Sequence, residues 1–199
     1  MIAAWVVAGC ALTEDKVPVD YVSGTGAPAP LAGAANVTLT LSTSDKRQQH
    51  GDRIGTKKNG YGMELAKIVS TNDVPTLVRD AVEREFKSQG FNIGGNGLAV
   101  SVELQNFYNN FKVGLFAGDA EAEVAFGIKV RSADGASLYT QFYSATGVVE
   151  NVMRASGENA KAALEKALTA AVKKMAEDKA LQAALLSTSA RSSKLGRNS

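Results

Sequence analysis

The feature that most constrains the fold is an alanine-rich apolar stripe near the C-terminal end of the chain. Apolar side chains recur over residues 160–175 at the 3.6-residue period of an α-helix. Four of the eight residues in the stripe are alanine: Ala160, Ala163, Ala167 and Ala171. Side chains this small allow two backbones to approach closely. The stripe therefore predicts a helix that begins after the capping residue Ser156 and packs closely against a β-sheet.

Alternating apolar and polar residues predict the strands of that sheet, because successive side chains of a strand point to opposite faces. The alternation is clear in residues 37–41, 98–104, 122–130 and 138–149. Between the last two strands, Asp134 and Gly135 are the residue types of a tight hairpin turn. Residues 44–62 predict a long loop or a ragged hairpin, and residues 66–70 predict a short strand.

A second amphipathic helix is predicted between the first two of the long strands. Asp73 is a capping residue, an apolar stripe runs from Val74 to Phe86, and Gly90 suits the C-terminal end of the helix. A short final helix is predicted over residues 179–186. The element order strand-helix-strand-strand-strand-helix predicts an α+β fold, in which a mixed or antiparallel sheet of about four strands packs against two main helices.

The composition changes on either side of these elements. Residues 10–35 are rich in Gly, Ala, Pro and Ser without an apolar period, which predicts a flexible tether. Residues 187–199 are rich in Ser, Arg and Lys with almost no apolar residue, which predicts a disordered tail. The folded domain is therefore predicted to span residues 36–186, preceded by an apolar leader at residues 1–9.

The composition of the whole chain excludes several classes of protein. The 199 residues include one Cys, so no disulfide can form within the chain, and one His, which excludes most histidine-based metal sites. The 22 Lys and Arg residues and the 20 Asp and Glu residues leave a net charge of +2, which does not favour a nucleic-acid partner. No apolar run reaches the length of about 18 residues that a spanning helix needs.

The single Cys lies at the end of the apolar leader. The sequence Val7-Ala8-Gly9-Cys10 resembles the lipobox of bacterial lipoproteins. The resemblance implies that a signal peptidase recognises Val7, Ala8 and Gly9, and that Cys10 is acylated and becomes the first residue of the mature chain. The competing interpretation is a buried N-terminal strand or helix with a free Cys in the core.

Two details of the leader bear on export and sorting. A secretory signal has a basic segment before its apolar segment, but no Lys or Arg precedes Cys10. We infer that this start lies too far downstream and omits a basic segment. No Asp follows Cys10 directly, and the lipoprotein resemblance then implies sorting to the outer membrane, with acyl chains such as palmitate in the bilayer.

Further motifs carry a family resemblance. Residues 77–83 lie within the predicted helix, and Gln89-Gly90-Phe91 follows its end. The turn at residues 94–97 then leads into the strand at residues 98–102. With the lipobox and a last segment at residues 181–186, this order resembles the YajG family of uncharacterised Gram-negative lipoproteins. The resemblance covers residues 36–186 and implies a lipid-anchored domain that faces the periplasm, with no assigned activity.

The one histidine lies in a polar segment with two carboxylates, those of Asp45 and Asp52. Imidazole and carboxylate groups are metal ligands, but three neighbouring cations favour a solvated loop around His50. Residues 55–62 superficially resemble a phosphate-binding loop, yet they lack its Gly-Lys-Ser/Thr ending and favour a basic hairpin tip. Neither a metal nor a cofactor is predicted.

Two arrangements that could carry catalysis are also weak. The Gly-Ala-Ser sequence at residues 135–137 lacks the second glycine of a nucleophile elbow and lies in a predicted hairpin. Glu121 and Glu123 would lie on one strand face about 6–7 Å apart, which permits acid–base work but is more typical of a solvated sheet edge. With one imidazole and an acylated Cys10, the sequence predicts no enzyme.

An aromatic segment at residues 106–116 breaks the alternation of the strand before it. Its aromatic residues are Phe107, Tyr108, Phe111 and Phe116, interleaved with Asn. Aromatic side chains beside amides are typical of recognition surfaces, so these four residues form a candidate partner surface. The alternative is that the strand continues with a bulge and the rings cap the core.

These observations lead to two hypotheses about function. The first is a lipid-anchored envelope protein whose domain binds a partner, either a protein or a glycan, without catalysis. The second is an auxiliary lipoprotein of a lipid-transport or cell-wall-synthesis machine, which handles an apolar ligand or activates its partner. A large apolar pocket between sheet and helices would favour the second hypothesis, and a filled core would favour the first.

Overall fold

The computed structural model of the chain describes residues 12–23, 30–114 and 117–195. In these ranges one mixed sheet of eight strands packs against three α-helices. The strands are β1 (Asp15–Val17), β2 (Thr38–Asp45), β3 (Gly55–Lys58), β4 (Glu64–Ser70), β5 (Asn92–Ile93), β6 (Leu98–Lys112), β7 (Gly118–Arg131) and β8 (Ser137–Val152). The helices are α1 (Val74–Ser88), α2 (Gly157–Ala176) and α3 (Lys179–Leu195). The α+β class is compatible with the prediction, but the predicted number of strands is too low.

Strand β6 is the centre of the sheet because it pairs with three other strands. On one side, β7 runs antiparallel along β6, and β8 runs antiparallel to β7. On the other side, β2 runs parallel to the first half of β6, and β3 joins its second half, where Gly55 faces Asn109. Strands β2 and β3 therefore lie end to end along β6. Strands β4 and β1 continue the sheet beyond β3, and β5 lies beside β2.

A β-bulge divides β6 into its two halves. Gln105 is the extra residue between Leu104 and Asn106, which face consecutive residues of β7. The extra residue changes which positions are buried: they are even-numbered before the bulge and odd-numbered after it. Phe107 and Phe111 consequently face the helices, with exposed fractions of 0% and 4%.

This burial corrects the candidate partner surface. Phe107 and Phe111 belong to the hydrophobic core, so neither side chain can contact a partner without unfolding of the sheet. The strand continues with a bulge, which was the alternative interpretation of this segment. Tyr108 is half-buried on the other face of the sheet, and Phe116 lies outside the described residues.

The two main helices begin where their capping residues predict. The carboxylate of Asp73 accepts a hydrogen bond from the Thr76 amide at 3.1 Å, and the hydroxyl of Ser156 accepts one from the Asn159 amide at 3.4 Å. Helix α1 packs on β2 and β6, and α2 packs on β7 and β8. All the apolar residues of the predicted α2 stripe are fully buried.

The helix layer extends past the predicted domain boundary at residue 186. Helix α3 ends at Leu195, so part of the predicted disordered tail at residues 187–199 is helical. Its first turn is capped by Asp178, whose Oδ1 accepts the amide hydrogen of Ala180 at 2.8 Å. Gln182 ties the helix to the end of α2, because its side-chain amide donates to the buried carbonyl of Ala176 at 2.7 Å.

The largest difference from the prediction concerns the segment at residues 15–22, which was assigned to the flexible tether. It pairs with β4 through β1, and the side chains of Val17, Val19 and Tyr21 are buried. The hydroxyl of Tyr21 donates to the buried carboxylate of Glu85 in α1 at 2.5 Å. Burial and this carboxylate raise the pKa of Tyr21 well above its usual range, so the hydroxyl remains a donor at alkaline pH.

Asp15 fixes the start of the same segment. Its Oδ2 accepts the Gly157 amide hydrogen at 2.8 Å, which caps α2, and its Oδ1 pairs with the ammonium of Lys57 at 2.9 Å. Lys57 lies in β3 and its side chain is only 5% exposed. Partial burial acts to raise the pKa of Asp15, but the Lys57 and Gly157 hydrogen bonds outweigh it and lower the pKa below its ordinary value.

Gly147 in β8 permits the close approach of α2 to the sheet. A Cβ atom at this position would overlap the Ala163 carbonyl oxygen and would lie 2.5 Å from the Ala167 amide nitrogen. The small side chains of the α2 stripe and the missing side chain of Gly147 therefore serve the same contact. A larger side chain at Gly147 or in the α2 stripe would displace the helix.

We expect Gly147→Ala to lower the free energy of unfolding by on the order of 3 kcal/mol or more, because the added methyl group overlaps helix backbone. Gly95→Ala is the matched control, since a Cβ atom there meets nothing within 4 Å. Chemical denaturation of both variants measures the difference. Equal stability of the two variants would contradict the helix–sheet distance described here.

We expect Asp15→Asn to destabilise the domain by about 2 kcal/mol at neutral pH, because Lys57 loses a carboxylate partner in a buried setting. The pKa of Asp15 is lower in the folded chain, so its contribution is present above the unfolded value of about 3.9 and is lost as the pH falls through the folded value. The stability difference between the wild type and the variant should therefore shrink below about pH 4.

Glu14→Gln is the control for this titration, because Glu14 forms an exposed ion pair with Lys16 at 3.8 Å. Such pairs contribute about 0–1 kcal/mol. Urea denaturation of the three chains between pH 3 and pH 8 gives the comparison. An Asp15→Asn variant as stable as Glu14→Gln at neutral pH would show that the segment is not fixed through Asp15.

Candidate functional site

The predicted lipidation site lies outside the described residues. Cys10 and the three residues before it, Val7, Ala8 and Gly9, precede Leu12, where the described chain begins. Lipidation of Cys10 therefore remains a prediction from sequence. The structure bears on it through the position of Leu12 and of the strand that follows.

Within the described chain, an open cleft with a volume of about 500 Å³ lies on the sheet face opposite the helices. One wall is the loop at residues 46–51, which is the first part of the connection between β2 and β3. The floor and the other wall come from β6, β7 and β8. Five side-chain amides line the cleft: Gln48, Gln49, Gln105, Asn106 and Asn110.

The loop at residues 46–51 is held in place by Arg47. The guanidinium of this residue is only 5% exposed, and its Nη2 pairs with Oδ2 of Asp45 at 2.6 Å while its Nε contacts Oδ1 at 3.0 Å. Hydrogen bonds from Arg47 lower the pKa of Asp45, which keeps this pair ionised well into acid. Nη2 also donates to the Gly51 carbonyl at 3.2 Å, so a single side chain closes the loop.

His50 stacks on Tyr108 at the base of the cleft. The two rings are nearly parallel, with an angle of 16° and a distance of 3.9 Å between their centroids. His50 has a φ of 57°, a left-handed conformation that few residues other than Gly adopt. The hydroxyl groups of Tyr108 and Thr56 lie 3.0 Å apart in β6 and β3. The sequence analysis singled out both rings separately but did not bring them together.

The two carboxylates of the cleft each have a partner. Glu121 forms an ion pair with Lys112 across the β6–β7 ladder, and Glu123 accepts a hydrogen bond from Asn106 at 2.9 Å. Glu121 and Glu123 do lie on the same strand face, as expected from their spacing. Because these partners hold them in structural contacts, the arrangement does not resemble an acid–base pair.

Two amides in the cleft have no such partner. Among the residues that the structure describes, the side chains of Gln49 and Gln105 make no hydrogen bond, whereas Asn110 accepts one from Lys58 at 2.7 Å. Each amide carries two donor hydrogens and one acceptor oxygen. The cleft therefore presents uncharged groups that can both donate and accept hydrogen bonds.

The other predicted motifs have structural roles. Asp45 is occupied by Arg47, and Asp52 pairs with Arg53 and Lys67, so neither carboxylate joins His50. Within the described ranges, no three His, Cys, Asp or Glu side chains are grouped to hold a metal ion. Residues 55–62 form β3 and the turn toward β4, and residues 135–136 lie in the turn before β8, which begins at Ser137.

A pair of tyrosines, one half-buried and one buried, is the other polar cluster with shifted pKa values. Tyr139 and Tyr143 both donate to Oδ2 of Asp178, at 2.6 and 2.9 Å. Burial and these hydrogen bonds raise the pKa values of both tyrosines. Burial opposes ionisation of Asp178, but the hydrogen bonds it accepts hold its pKa below the ordinary value. These hydrogen bonds join β8 to the start of α3.

Most cleft residues were not identified from the sequence. Gln48 and Gln49 lie in the loop after β2, whereas Gln105 lies in the middle of β6. These side chains come together because β2 and β3 lie end to end along β6. One local signal was available, because the alternation of β6 breaks at Gln105. A bulge often re-aims side chains beside a functional site.

Comparisons with known proteins agree on the kind of protein. Residues 27–186 match the family model Lipoprotein_16, described as an uncharacterized lipoprotein. The chain is 22% identical over 185 residues to the uncharacterized lipoprotein YajG of Escherichia coli strain K12, which covers 89% of this chain and 90% of that protein. YajG of strain O6:H1 matches to the same extent.

The fold is also found in a crystal structure. Protein XCC0632 from Xanthomonas campestris aligns with a TM-score of 0.57 at 14% identity, covering 91% of this chain and 99% of that protein. At this identity the similarity supports the fold alone. None of the helices in the described part of the chain is long and apolar enough to cross a membrane.

Proposed function

Because this chain belongs to the family of uncharacterized lipoproteins, we propose that it is anchored in the bacterial envelope through acyl chains on Cys10. We further propose that the domain binds an uncharged polar partner in the cleft between the 46–51 loop and the sheet, without catalysis. The anchor and the partner site are separate parts of the proposal. Each has its own test.

The anchor rests on the chemistry available near the N-terminus. Cys10 is the single thiol of the chain and follows three small or apolar residues, as a lipobox requires. Two or three acyl chains would hold the protein firmly, since each buried CH₂ group contributes about 0.8 kcal/mol. With no Asp directly after Cys10, the proposal assigns the anchor to the outer membrane, with the domain on the periplasmic side.

One observation supports the partner site: two side-chain amides of the cleft have no hydrogen-bond partner among the described residues. Gln49 and Gln105 leave donors and acceptors unused among the described residues, while Arg47 holds the loop that carries Gln49. Sugar hydroxyl groups also donate and accept, and an apolar sugar face can lie against stacked rings such as His50 and Tyr108. A neutral glycan therefore fits the cleft better than a charged ligand.

The hypothesis of an apolar ligand receives less support. Between the sheet and the helices, large side chains such as Phe86, Phe126 and Leu168 are fully buried against one another. The cleft lies on the opposite face of the sheet and is lined mainly by amides and paired charges. A lipid chain placed there would remove polar groups from water without a replacement partner.

Lipidation is tested by metabolic labelling. Expressed behind a complete lipoprotein signal sequence, the chain should incorporate a palmitate analogue and fractionate with the outer membrane. Cys10→Ser should abolish labelling and release the protein from the membrane fraction, because serine cannot form the thioether. A Cys10→Ser variant that still labels and sediments with membranes would refute the anchor.

The partner site is tested with oligomers of N-acetylglucosamine, which carry hydroxyl and acetamide groups but no charge. We expect Gln49→Ala/Gln105→Ala to weaken binding roughly tenfold, because each hydrogen bond contributes about 0.5–1.5 kcal/mol. Its melting temperature should hardly change, since exposed substitutions usually stay within about 0.5 kcal/mol. Isothermal titration calorimetry gives the dissociation constants.

Gln141→Ala is the matched control, because Gln141 is an exposed glutamine of β8 outside the cleft. This variant should bind like the wild type. Absence of binding by the wild-type chain would reject a neutral glycan as the partner. Equal losses in the Gln141→Ala and Gln49→Ala/Gln105→Ala variants would reject the cleft as the site.

A further inference from the structure

The structure leaves little free chain between the proposed lipid and the folded domain. Asp15 is fixed by its contacts with Gly157 and Lys57. Asp15 is the fifth residue after Cys10, and five extended steps of about 3.6 Å span at most about 18 Å. Leu12, where the described chain begins, follows Cys10 by two residues, or about 7 Å. The tether predicted from sequence would have reached much further.

Several chain connections gather at the end of the sheet toward which the start of β1 points. Strand β1 runs parallel to β4, so its start points toward the β3–β4 turn. Lys58, just before that turn, donates to Asn110 near the end of β6 at 2.7 Å. Gly118 at the start of β7 faces Val152 at the end of β8. The β3–β4 turn, the end of β6 and the β8–α2 loop therefore lie at the same end of the domain.

Exposed apolar side chains are concentrated at this end. Among the described residues, eight large hydrophobic side chains are exposed. Four of them belong to the segments just named, and a fifth, Leu12, lies three residues before the start of β1. They are Leu12 (69% exposed), Tyr61 (91%), Met63 (59%), Val113 (43%) and Met153 (83%). We refer to these five residues as the anchor end.

The most exposed of them is presented by a well-ordered turn. Oδ1 of Asn59 accepts the amide hydrogens of Tyr61 and Met63, both at 3.0 Å. The Asn59 amide donates to the Met63 carbonyl at 3.0 Å, and Gly62 adopts a φ of 82° that suits glycine. The exposure of Tyr61 and Met63 is thus imposed by the backbone of the turn.

We propose that the anchor end contacts the bilayer that holds the Cys10 lipid, with its five apolar side chains in the interfacial layer. The inference rests on the lipid anchor of the proposed function. The bilayer is the expected partner of this surface because the link to the lipid is short. Leu12 is the second residue after Cys10 and therefore cannot lie far from the membrane surface. Tyrosine suits this position because its ring is apolar and its hydroxyl stays in contact with water.

Bilayer contact at this end fixes the orientation of the domain. The strands of the central sheet would rise from the membrane, and Tyr108 would lie about 17 Å along β6 from Val113. The cleft would then open sideways, close above the lipid headgroups. A partner in the cleft would have to lie near the membrane surface.

The test couples the full-length chain to vesicles through its one thiol. A Trp5→Phe background removes the single native tryptophan, and Tyr61→Trp, Met153→Trp or Phe142→Trp supplies one reporter. Cys10 reacts with a maleimide lipid in vesicles of phosphatidylethanolamine and phosphatidylglycerol, with or without brominated acyl chains. Because the coupling is chemical, it does not depend on lipidation in the cell.

We expect brominated vesicles to quench the emission of Tyr61→Trp and Met153→Trp strongly and to leave Phe142→Trp unchanged. Phe142 is a suitable control because it is 59% exposed and lies ten residues from Val152 on β8, about 34 Å away. Thermal melts check that each variant is folded.

Quenching of Tyr61→Trp no greater than that of Phe142→Trp would overturn the proposal, whether or not Cys10 is lipidated in cells. Sedimentation of the uncoupled chain provides a second measurement. A dimer that dissociates in Tyr61→Asp/Met153→Asp would show that a second copy of the chain covers the anchor end, and would also overturn it. A monomeric chain with quenched reporters supports bilayer contact.

Discussion

The bulge at Gln105 is the constraint on which the architecture of this domain depends. It reverses the buried positions of β6 halfway along the strand, so that Phe107 and Phe111 enter the core while Asn106 and Tyr108 face the opposite side. It also marks the point where β2 ends and the loop toward β3 begins, since Asp45 faces Leu104. The cleft forms where this loop places Gln48, Gln49 and His50 beside the second half of β6.

A second set of contacts fixes the chain before the first long strand. Asp15 caps α2 and pairs with Lys57, and Tyr21 reaches the buried carboxylate of Glu85. These are charged or polar contacts between residues far apart in sequence. Together with the burial of Val17, Val19 and Tyr21, they make this segment part of the folded domain. As a result, the direction in which the chain leaves the domain toward Cys10 is determined by the fold.

The proposed roles of the cleft and of the anchor end are compatible for a physical reason. The cleft offers amides and paired charges, which suit a hydrated ligand, whereas the anchor end offers exposed apolar side chains. In the proposed arrangement, a short link to the lipid would hold the anchor end against the bilayer and leave the cleft accessible from the side. The domain would then bind a partner while it is attached to the membrane.

The sequence alone determined the features that depend on local patterns. The periodic stripes located α1 and α2, the alternation located the four long strands, and the residues before Cys10 indicated the lipoprotein family. Tertiary structure decided the rest. Strands β1, β3 and β5 are two to four residues long, too short for a periodic signal, and they form because distant residues supply their hydrogen bonds. The stacking of His50 on Tyr108 has a similar origin. It depends on the pairing of both β2 and β3 with one edge of β6, and no local sequence pattern indicates that pairing.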